Sequence, residues 1–185
     1  NQDLTAEYII NNYDAKALTK IIFEFGEEKF ASRIANSIVR QRQIKKIETT
    51  FELVEIIKSC IPAPARRTGG NPAKRTFQAL RIAVNNELAI LEKAIPQALN
   101  SLAKDGRLIV LSYQSLEDRI IKNIFREHTS TTDLLPGLPI PLKSKEKEFI
   151  LLNKKAESAT QNEIAANPRA TSVKLRAIQR IGVAA

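Results

Sequence analysis

The strongest constraint in this sequence is a glycine turn that precedes a long amphipathic helix. Gly69 and Gly70 can adopt positive φ angles, which lets the backbone approach a ligand closely. The apolar residues that follow recur at spacings of three and four, and this period predicts one buried helix face between Thr76 and Leu102. Pro96 lacks a backbone N–H and predicts a kink in this helix. The apolar stripe consists of Phe77, Leu80, Val84, Leu88, Leu91 and Ile95.

Basic residues cluster beside this turn. The chain has 185 residues and a formal net charge of +9, and residues 61–86 contain five basic side chains and no acidic one. A helix start carries partial positive charge and free N–H groups, so the combination favours a polyanion such as nucleic acid. The spacing alone also allows a plain loop-to-helix junction with a solvated, charged rim. The five basic residues are Arg66, Arg67, Lys74, Arg75 and Arg81.

The rest of the composition excludes several kinds of site. Cys60 is the only cysteine and His128 the only histidine, so the sequence predicts neither a disulfide framework nor a metal site. His128 lies about a helix length from Ser115, so no nucleophile–base pair is apparent. The sequence has no signal peptide, no transmembrane run and no basic amphipathic helix with aromatic anchors. These absences predict a cytoplasmic protein without a membrane partner.

The first third of the chain has the pattern of a helical domain. Apolar stripes at helical spacing recur up to Pro62, and prolines and glycines then interrupt the pattern as far as Pro72. This interruption predicts a domain boundary, with a helical domain in residues 1–72 and a second domain in residues 73–185. The predicted helix starts are Thr5, Asp14, the pair Glu27–Glu28, and Thr49 or Thr50.

The hydrophobic period changes in the second domain. Residues Arg107 to Tyr113 form a near-continuous apolar run, which predicts a strand buried on both faces, as in a parallel sheet. Ser115 is predicted to cap the following helix, with Asp118 completing a capping box. Two later segments are predicted to form an antiparallel edge pair, Glu148–Asn153 and Ser172–Ile181. The predicted fold class is therefore α+β/α/β, a helical domain joined to part of a doubly wound sheet.

A candidate pocket rim follows the first predicted strand. Ligands of doubly wound sheets bind beyond the carboxyl ends of the strands, and Tyr113 at such an end could stack on a base. The alternative is that Ser115 only caps its helix and Tyr113 only packs. The rim residues are Ser112, Tyr113, Gln114 and Ser115.

Four segments together carry a family signature, and they span nearly the whole chain. They are Gly69–Asn85, Gly26–Ala31, Ser115–Lys122 and Asn167–Arg176. In order and spacing they closely resemble the bacterial 16S ribosomal RNA cytosine-N4 methyltransferases of the MraW type. The resemblance implies a class I, Rossmann-like methyltransferase sheet with a helical domain inserted at about Leu4–Pro72. It also implies S-adenosylmethionine as methyl donor and a cytosine amine of the small ribosomal subunit as acceptor.

On this resemblance, the helical domain would bind substrate RNA and residues 73–185 would form the C-terminal portion of the methyltransferase domain. The cations expected to contact RNA are Arg66, Arg67, Lys74, Arg75, Arg81, Arg169, Lys174 and Arg176. The rim of the base pocket would consist of Asn71, Ser112, Tyr113, Gln114 and Ser115.

The departures from the family pattern lead to further expectations. The glycine-rich donor-binding segment of the family would lie upstream of Asn1, so no donor is expected to bind this segment. No catalytic residue is assigned, and the segment alone is expected to be inactive. Asn71 stands where the family usually has histidine, and Tyr113–Gln114 where it usually has Phe-His.

An incomplete sheet would also expose an apolar edge and face, which a homodimer or a rearranged helical assembly would cover. Two other functions remain open at this stage. One is a non-catalytic RNA-binding helical module, and the other is a helical dimerisation or interaction domain.

Overall fold

The computed structural model describes residues 4–66, 70–130 and 147–182. The chain divides into two compact units, Asn1–Glu87 and Leu88–Ala185. The first unit therefore extends beyond the boundary predicted at Pro72, because the helix that follows the glycine turn packs with the N-terminal helices. The helices described in the first unit are α1 Ala6–Asn12, α2 Ala15–Gly26, α3 Ala31–Ile44, α4 Thr50–Cys60, α5 Ala63–Arg66 and α6 Lys74–Asn85.

Three of the predicted caps are confirmed. The Thr5 hydroxyl accepts a hydrogen bond from the backbone N–H of Tyr8, and the Asp14 carboxylate accepts one from Ala17 at 2.7 Å. Thr49 and Glu52 form a reciprocal capping box at the start of α4. Each cap satisfies backbone donors that have no partner inside the helix, which stabilises the helix by about 1 kcal/mol.

The prediction that Glu27 and Glu28 open the third helix is wrong. Glu27 has a φ of 48°, so it ends α2 in the left-handed conformation, and α3 begins only at Ala31. Glu28 is 4% exposed, and its carboxylate accepts the backbone N–H of Phe30 at 2.9 Å. The two acids therefore shape the turn between α2 and α3 and do not lie in a helical first turn.

The core of the first unit is almost entirely aliphatic. Cys60 is buried among these side chains, in agreement with its predicted role as a small apolar residue. Phe77 and Val84 of α6 pack against the same cluster, so the first part of the predicted apolar stripe faces this core. Burying each large aliphatic side chain contributes about 1.5–3 kcal/mol. The largest of them are Ile9, Leu18, Ile22, Ile34, Ile38, Ile57 and Leu80.

The long helix predicted between Thr76 and Leu102 is two helices. Asn86 has a φ of 53° and ends α6, and α7 then spans Glu87–Asn100. Pro96 lies inside α7, so the helix continues through this proline, and the kink predicted there stays a prediction. The break falls at Asn86, where none was predicted. Asparagine tolerates the left-handed conformation that ends a helix. The apolar stripe is divided accordingly, because Leu91 and Ile95 join the core of the second unit.

The second unit contains a small sheet in which every described pairing is antiparallel. The central strand, Lys174–Arg180, pairs with all three others. In its pairing with the strand Arg107–Ser112, Ile109 lies opposite Ala177. The antiparallel pairing of the two late segments is confirmed, but the last strand is central in this sheet and does not form its edge. The elements are α7, β1 Arg107–Ser112, α8 Ser115–Thr129, β2 Phe149–Leu151, β3 Glu157–Ser158, α9 Gln161–Ala166, a 3-10 turn at Pro168–Ser172, and β4 Lys174–Arg180.

The prediction that strand β1 is buried on both faces is wrong. Leu108 and Val110 pack against the apolar cluster formed by α7, α8, β2 and β4, whereas Ile109 and Leu111 are 59% and 54% exposed. A near-continuous apolar run does not say whether a strand has a covering layer on one face or on two. Among the described residues, only one face of β1 has such a layer.

Arg180 joins three parts of the second unit. Its guanidinium donates to the carbonyl oxygen of Leu102 at 2.8 Å, forms an ion pair with Glu148, and lies 5.5 Å from the centre of the Phe149 ring. His128 lies in the last turn of α8, and its ring and that of Phe149 form an edge-to-face contact. No helix in the described ranges has both the length and the apolar character needed to cross a membrane.

We expect Gly26→Ala to destabilise the first unit. A Cβ atom at Gly26 would lie 2.7 Å from the carbonyl oxygen of Arg75, so α2 and α6 would have to separate. Overpacking of this kind costs about 1–3 kcal/mol, which urea denaturation measures as a lower free energy of unfolding. Lys20→Ala, at an exposed position of α2, is the matched control and should change stability by less than about 0.5 kcal/mol. Equal stability of the two variants would contradict the close approach.

We expect Lys45→Gln to raise the pKa of Glu52. The ion pair with Lys45 and the backbone N–H groups of Glu48 and Thr49 lower the pKa of Glu52 from 4.5 to about 2. Because the folded pKa is lowered, this carboxylate stabilises the fold above pH 4.5, and its contribution is lost as the pH falls towards 2. Titration of the Glu52 carboxyl by NMR measures the change.

The control for that titration is Lys46→Gln. Lys46 pairs with Glu7 instead, and this pairing raises the pKa of Lys46. The substitution should therefore leave the Glu52 titration unchanged. A Glu52 carboxyl that titrates near 4.5 in the unmodified chain would refute the proposed cause.

Candidate nucleic-acid interface

A basic cleft of about 640 Å³ lies in the first unit. The turn between α2 and α3 forms one side, and the segment that leads from the glycine turn into α6 forms the other. These two segments are more than forty residues apart in the chain, and the packing of α2 against α6 brings them together. The polar side chains that line the cleft are Glu28, Lys29, Asn71, Lys74, Arg75 and Gln78.

The backbone at the mouth of the cleft has the geometry that the glycine turn predicts. Gly70 has a φ of 80°, and apart from its chain neighbours no described residue has an atom within 4 Å of the position that a Cβ would occupy. Gly69 lies outside the described residues. Asn71 then turns the chain into α6, because its side-chain oxygen accepts the N–H of Ala73 at 3.0 Å and its backbone oxygen accepts that of Lys74 at 3.1 Å.

The cations of the cleft come from both segments. Lys74 and Arg75 were predicted from the sequence, but Lys29 was not. Glu27 and Glu28 directly precede Lys29, so the sequence shows no net positive charge at this position. The sequence nevertheless contains a signal for the position of Lys29. A glycine at a helix end, followed by two acids, indicates a turn, and a turn can direct a lysine side chain away from its acidic neighbours.

Arg75 and Gln78 also hold the end of α2. The guanidinium of Arg75 donates to the backbone oxygen of Glu27 at 3.4 Å, and the amide of Gln78 donates to that of Phe25 at 3.3 Å. The last carbonyl groups of a helix have no partner within the helix, so these bonds satisfy them. They also fix the position of α6 against the turn that carries Lys29.

The other predicted cations of the first unit lie elsewhere. Arg66 is the last residue of α5 and is exposed, whereas Arg67 lies outside the described residues. Arg81 donates two hydrogen bonds to the carboxylate of Glu87, at 2.8 and 3.1 Å, and does not line the cleft. Of the four members of the sequence cluster that the structure describes, only Lys74 and Arg75 line the cleft.

In the second unit, the predicted rim residues have different environments. Ser112 is buried and its hydroxyl donates to the backbone oxygen of Lys174 at 3.4 Å. Tyr113 is 50% exposed at the end of β1. Gln114 caps α8 with Glu117, so the predicted cap at Ser115 and Asp118 is wrong by one residue. Ser115 is instead the first residue of the helix.

The late basic residues also differ from one another. Arg169 is exposed in the 3-10 turn, and Lys174 donates to the hydroxyl of Ser158 at 2.6 Å. Arg176 forms two hydrogen bonds with the carboxylate of Asp118, at 2.7 and 2.9 Å, in a largely buried ion pair. This pair ties β4 to α8.

The turn between β1 and α8 does not fit a methyl donor. It contains no glycine, and the carboxylate of Glu117 already accepts the backbone N–H groups of Tyr113 and Gln114, at 3.0 and 3.1 Å. Donor binding in doubly wound folds relies on free backbone N–H groups in a glycine-rich turn. Within the described ranges there is also no group of three or more potential metal ligands.

Comparisons with known proteins agree with the four sequence segments. The model of the MraW methylase family matches residues 1–181. The chain is 55% identical over 179 residues to the ribosomal RNA small subunit methyltransferase H of Mycolicibacterium smegmatis, which covers 97% of this chain and 48% of that relative. The corresponding protein of Thermobifida fusca is also 55% identical, with 97% and 54% covered.

A third relative has the same name and comes from Lactiplantibacillus plantarum. It is 48% identical over 183 residues, and the match covers 99% of this chain and 57% of that relative. The chain thus spans about half the length of the curated relatives that it matches. The matched region includes both compact units. On this evidence, the chain belongs to the MraW methylase family.

Proposed function

We propose that this chain is part of an S-adenosylmethionine-dependent methyltransferase that modifies the N4 amine of a cytosine in 16S ribosomal RNA. In this proposal the chain supplies substrate RNA binding and half of the catalytic fold. The observation that carries it is the family match over residues 1–181, together with relatives named ribosomal RNA small subunit methyltransferase H. The resemblance of four ordered segments to the cytosine-N4 enzymes supports the choice of base and atom.

The proposed substrate determines what the chain has to do. The amine of cytosine is a weak nucleophile, so the enzyme must hold it in line with the donor methyl group and accept a proton late in the reaction. The target base must also leave its stack, which costs least in single-stranded or distorted RNA. In this proposal, the chain therefore binds the RNA strand around an extruded base.

The cations of the chain divide into two groups in this proposal. Lys29, Lys74 and Arg75 converge on one cleft and are suited to phosphate. Arg81 and Arg176 are held by Glu87 and Asp118, so we assign them to the stability of the fold. The exposed Arg66 and Arg169 remain candidates for contacts with the RNA backbone.

Tyr113 is the best candidate for a contact with a base. Its ring is half exposed at the carboxyl end of β1, and the turn behind it is fixed by Glu117. An exposed aromatic ring in a fixed position can stack on an extruded base and contribute about 1–3 kcal/mol.

A second candidate function is an RNA-binding module without methyl transfer. It is favoured by the turn between β1 and α8, whose backbone N–H groups are already engaged by Glu117. A chimera separates the two functions, because it adds the half of a relative that this chain does not match.

We expect that chimera to transfer methyl groups to small ribosomal subunits. The matching region of the Thermobifida fusca relative is replaced by this chain, and the product is incubated with S-adenosylmethionine and unmodified small subunits. Mass spectrometry of the RNA nucleosides should detect N4-methylcytosine. The unaltered relative is the positive control. This chain alone is the negative control, and it should give no product and no heat of binding with S-adenosylmethionine.

Each other outcome of this experiment decides against part of the proposal. An active relative with an inactive, folded chimera would favour the RNA-binding module. Methylation at another atom would refute the N4 assignment. Micromolar binding of the donor to this chain alone would refute the assignment of donor binding to the unmatched half of the relatives.

We expect Arg176→Lys to lower stability without weakening RNA binding. Lysine keeps the charge but cannot make the two parallel hydrogen bonds to Asp118, so the free energy of unfolding should fall by about 1–3 kcal/mol. Urea denaturation and RNA-binding anisotropy measure the two effects. Arg169→Lys is the matched control and should be neutral for stability. Unchanged stability with weaker RNA binding would instead make Arg176 an RNA contact.

A further inference from the structure

We propose that the cleft of the first unit is a subsite for a phosphodiester of single-stranded RNA, held by Lys29, Lys74 and Arg75. This inference deepens the proposed function and rests on it for the identity of the RNA. It adds a residue, Lys29, that the charge pattern of the sequence did not indicate. It also limits the subsite to three of the many basic side chains.

The first argument is the distribution of charge within the first unit. The structure describes no ion-pair partner for Lys29 or Lys74, and Arg75 has only a long hydrogen bond to a backbone oxygen. Four other cations of this unit are paired with carboxylates, among them Lys45 with Glu52 and Lys46 with Glu7. An uncompensated positive charge therefore remains at the cleft.

The second argument concerns the acid in the same cleft. Glu28 also lines it and would repel an anion, but only 4% of this residue is exposed. One of its carboxylate oxygens accepts the backbone N–H of Phe30, so part of its negative charge is already compensated. Three cations against one acid leave a formal excess of two positive charges in the cleft.

The third argument is the backbone. The N-terminal end of the 12-residue helix α6 opens beside the cleft. Asn71 accepts the N–H groups of Ala73 and Lys74, and the cap residue Ala73 has no polar side chain to bond those that follow. The free N–H groups and the dipole of such an end favour a negative group. Gly70, with its positive φ and open surroundings, allows a ligand to approach the chain at this point.

The fourth argument is size. A volume of about 640 Å³ lies within the range of pockets that hold small organic ligands, so one nucleotide of a strand fits. Phe30 and Pro72 give the cleft an apolar part beside its cations. A sugar can lie against such a surface while its phosphate contacts the lysines and Arg75.

The test is the salt dependence of binding to a single-stranded RNA oligonucleotide. Fluorescence anisotropy measures the affinity between 50 and 200 mM salt for the whole chain and for Lys29→Gln, Lys74→Gln, Arg75→Gln and the triple variant. The cleft neutralises one phosphate, so the triple variant should lower the slope of log affinity against log salt by about 0.7, and each single variant should lower it by less. Lys16→Gln, at an exposed position of α2 outside the cleft, should leave the slope unchanged.

Two further variants keep the result interpretable. Lys29→Arg retains the charge and should retain the slope, whereas a variant that misfolds would lose binding whatever its charge. Arg81→Gln removes a cation that Glu87 already holds and should also retain the slope. Equal slopes for the triple variant and Lys16→Gln would overturn the subsite. So would binding of cytidine monophosphate as tight as that of the oligonucleotide, since the site would then recognise a free nucleotide and not a strand.

The same variants separate this inference from the proposed function. If the chimera methylates small subunits and the triple variant binds RNA like the unmodified chain, the subsite is wrong and the function stands. If the triple variant loses RNA binding but the chimera with an intact cleft has no activity, the subsite stands and the methyltransferase assignment fails.

Discussion

The contact between α2 and α6 at Gly26 determines where the functional surface of the first unit lies. A glycine there lets the backbone of Arg75 come so close that any side chain would collide with it. Arg75 and Gln78 then satisfy the last carbonyl groups of α2, so the start of α6 is fixed against the end of α2. Lys29 follows that end by three residues. One close helix contact thus assembles a basic cleft from segments that are distant in sequence.

The charges of this protein illustrate how composition and surface differ. A net charge of +9 and the two segments without acidic residues, 61–86 and 167–185, predict a polyanion partner. Yet Arg81, Arg176 and Arg180 each meet a carboxylate from outside those segments. Their partners, Glu87, Asp118 and Glu148, lie up to several elements away in the chain. The structure therefore concentrates the free charge in fewer places than the sequence suggests.

Sequence reasoning succeeded where the determining interactions are local. The caps at Thr5, Asp14 and Thr49 depend on residues within one helical turn, and each was found. It failed at Asn86, because the cost of a left-handed asparagine depends on the surrounding packing. The order and direction of strands also failed, since pairing between Arg107–Ser112 and Lys174–Arg180 is a long-range choice.

The candidate site followed the same rule. Lys74 and Arg75 were predicted because their neighbours in the sequence carry no negative charge, and Lys29 was missed because its neighbours do. The burial of Glu28 removes that acid from the surface, which no local pattern revealed.

Under the proposed function, the turn after β1 gives a physical reason to divide base orientation and donor binding between segments. Glu117 fixes Tyr113 and Gln114 by accepting both of their backbone N–H groups, which makes the turn rigid but leaves those donors unavailable to a ligand. A rigid turn with a half-exposed ring suits a base that must be held in one orientation. A methyl donor needs the opposite, a turn whose N–H groups are free and whose glycines permit close approach. The two requirements are incompatible in one turn, so the proposed function assigns the orientation of the base and the binding of the donor to different segments.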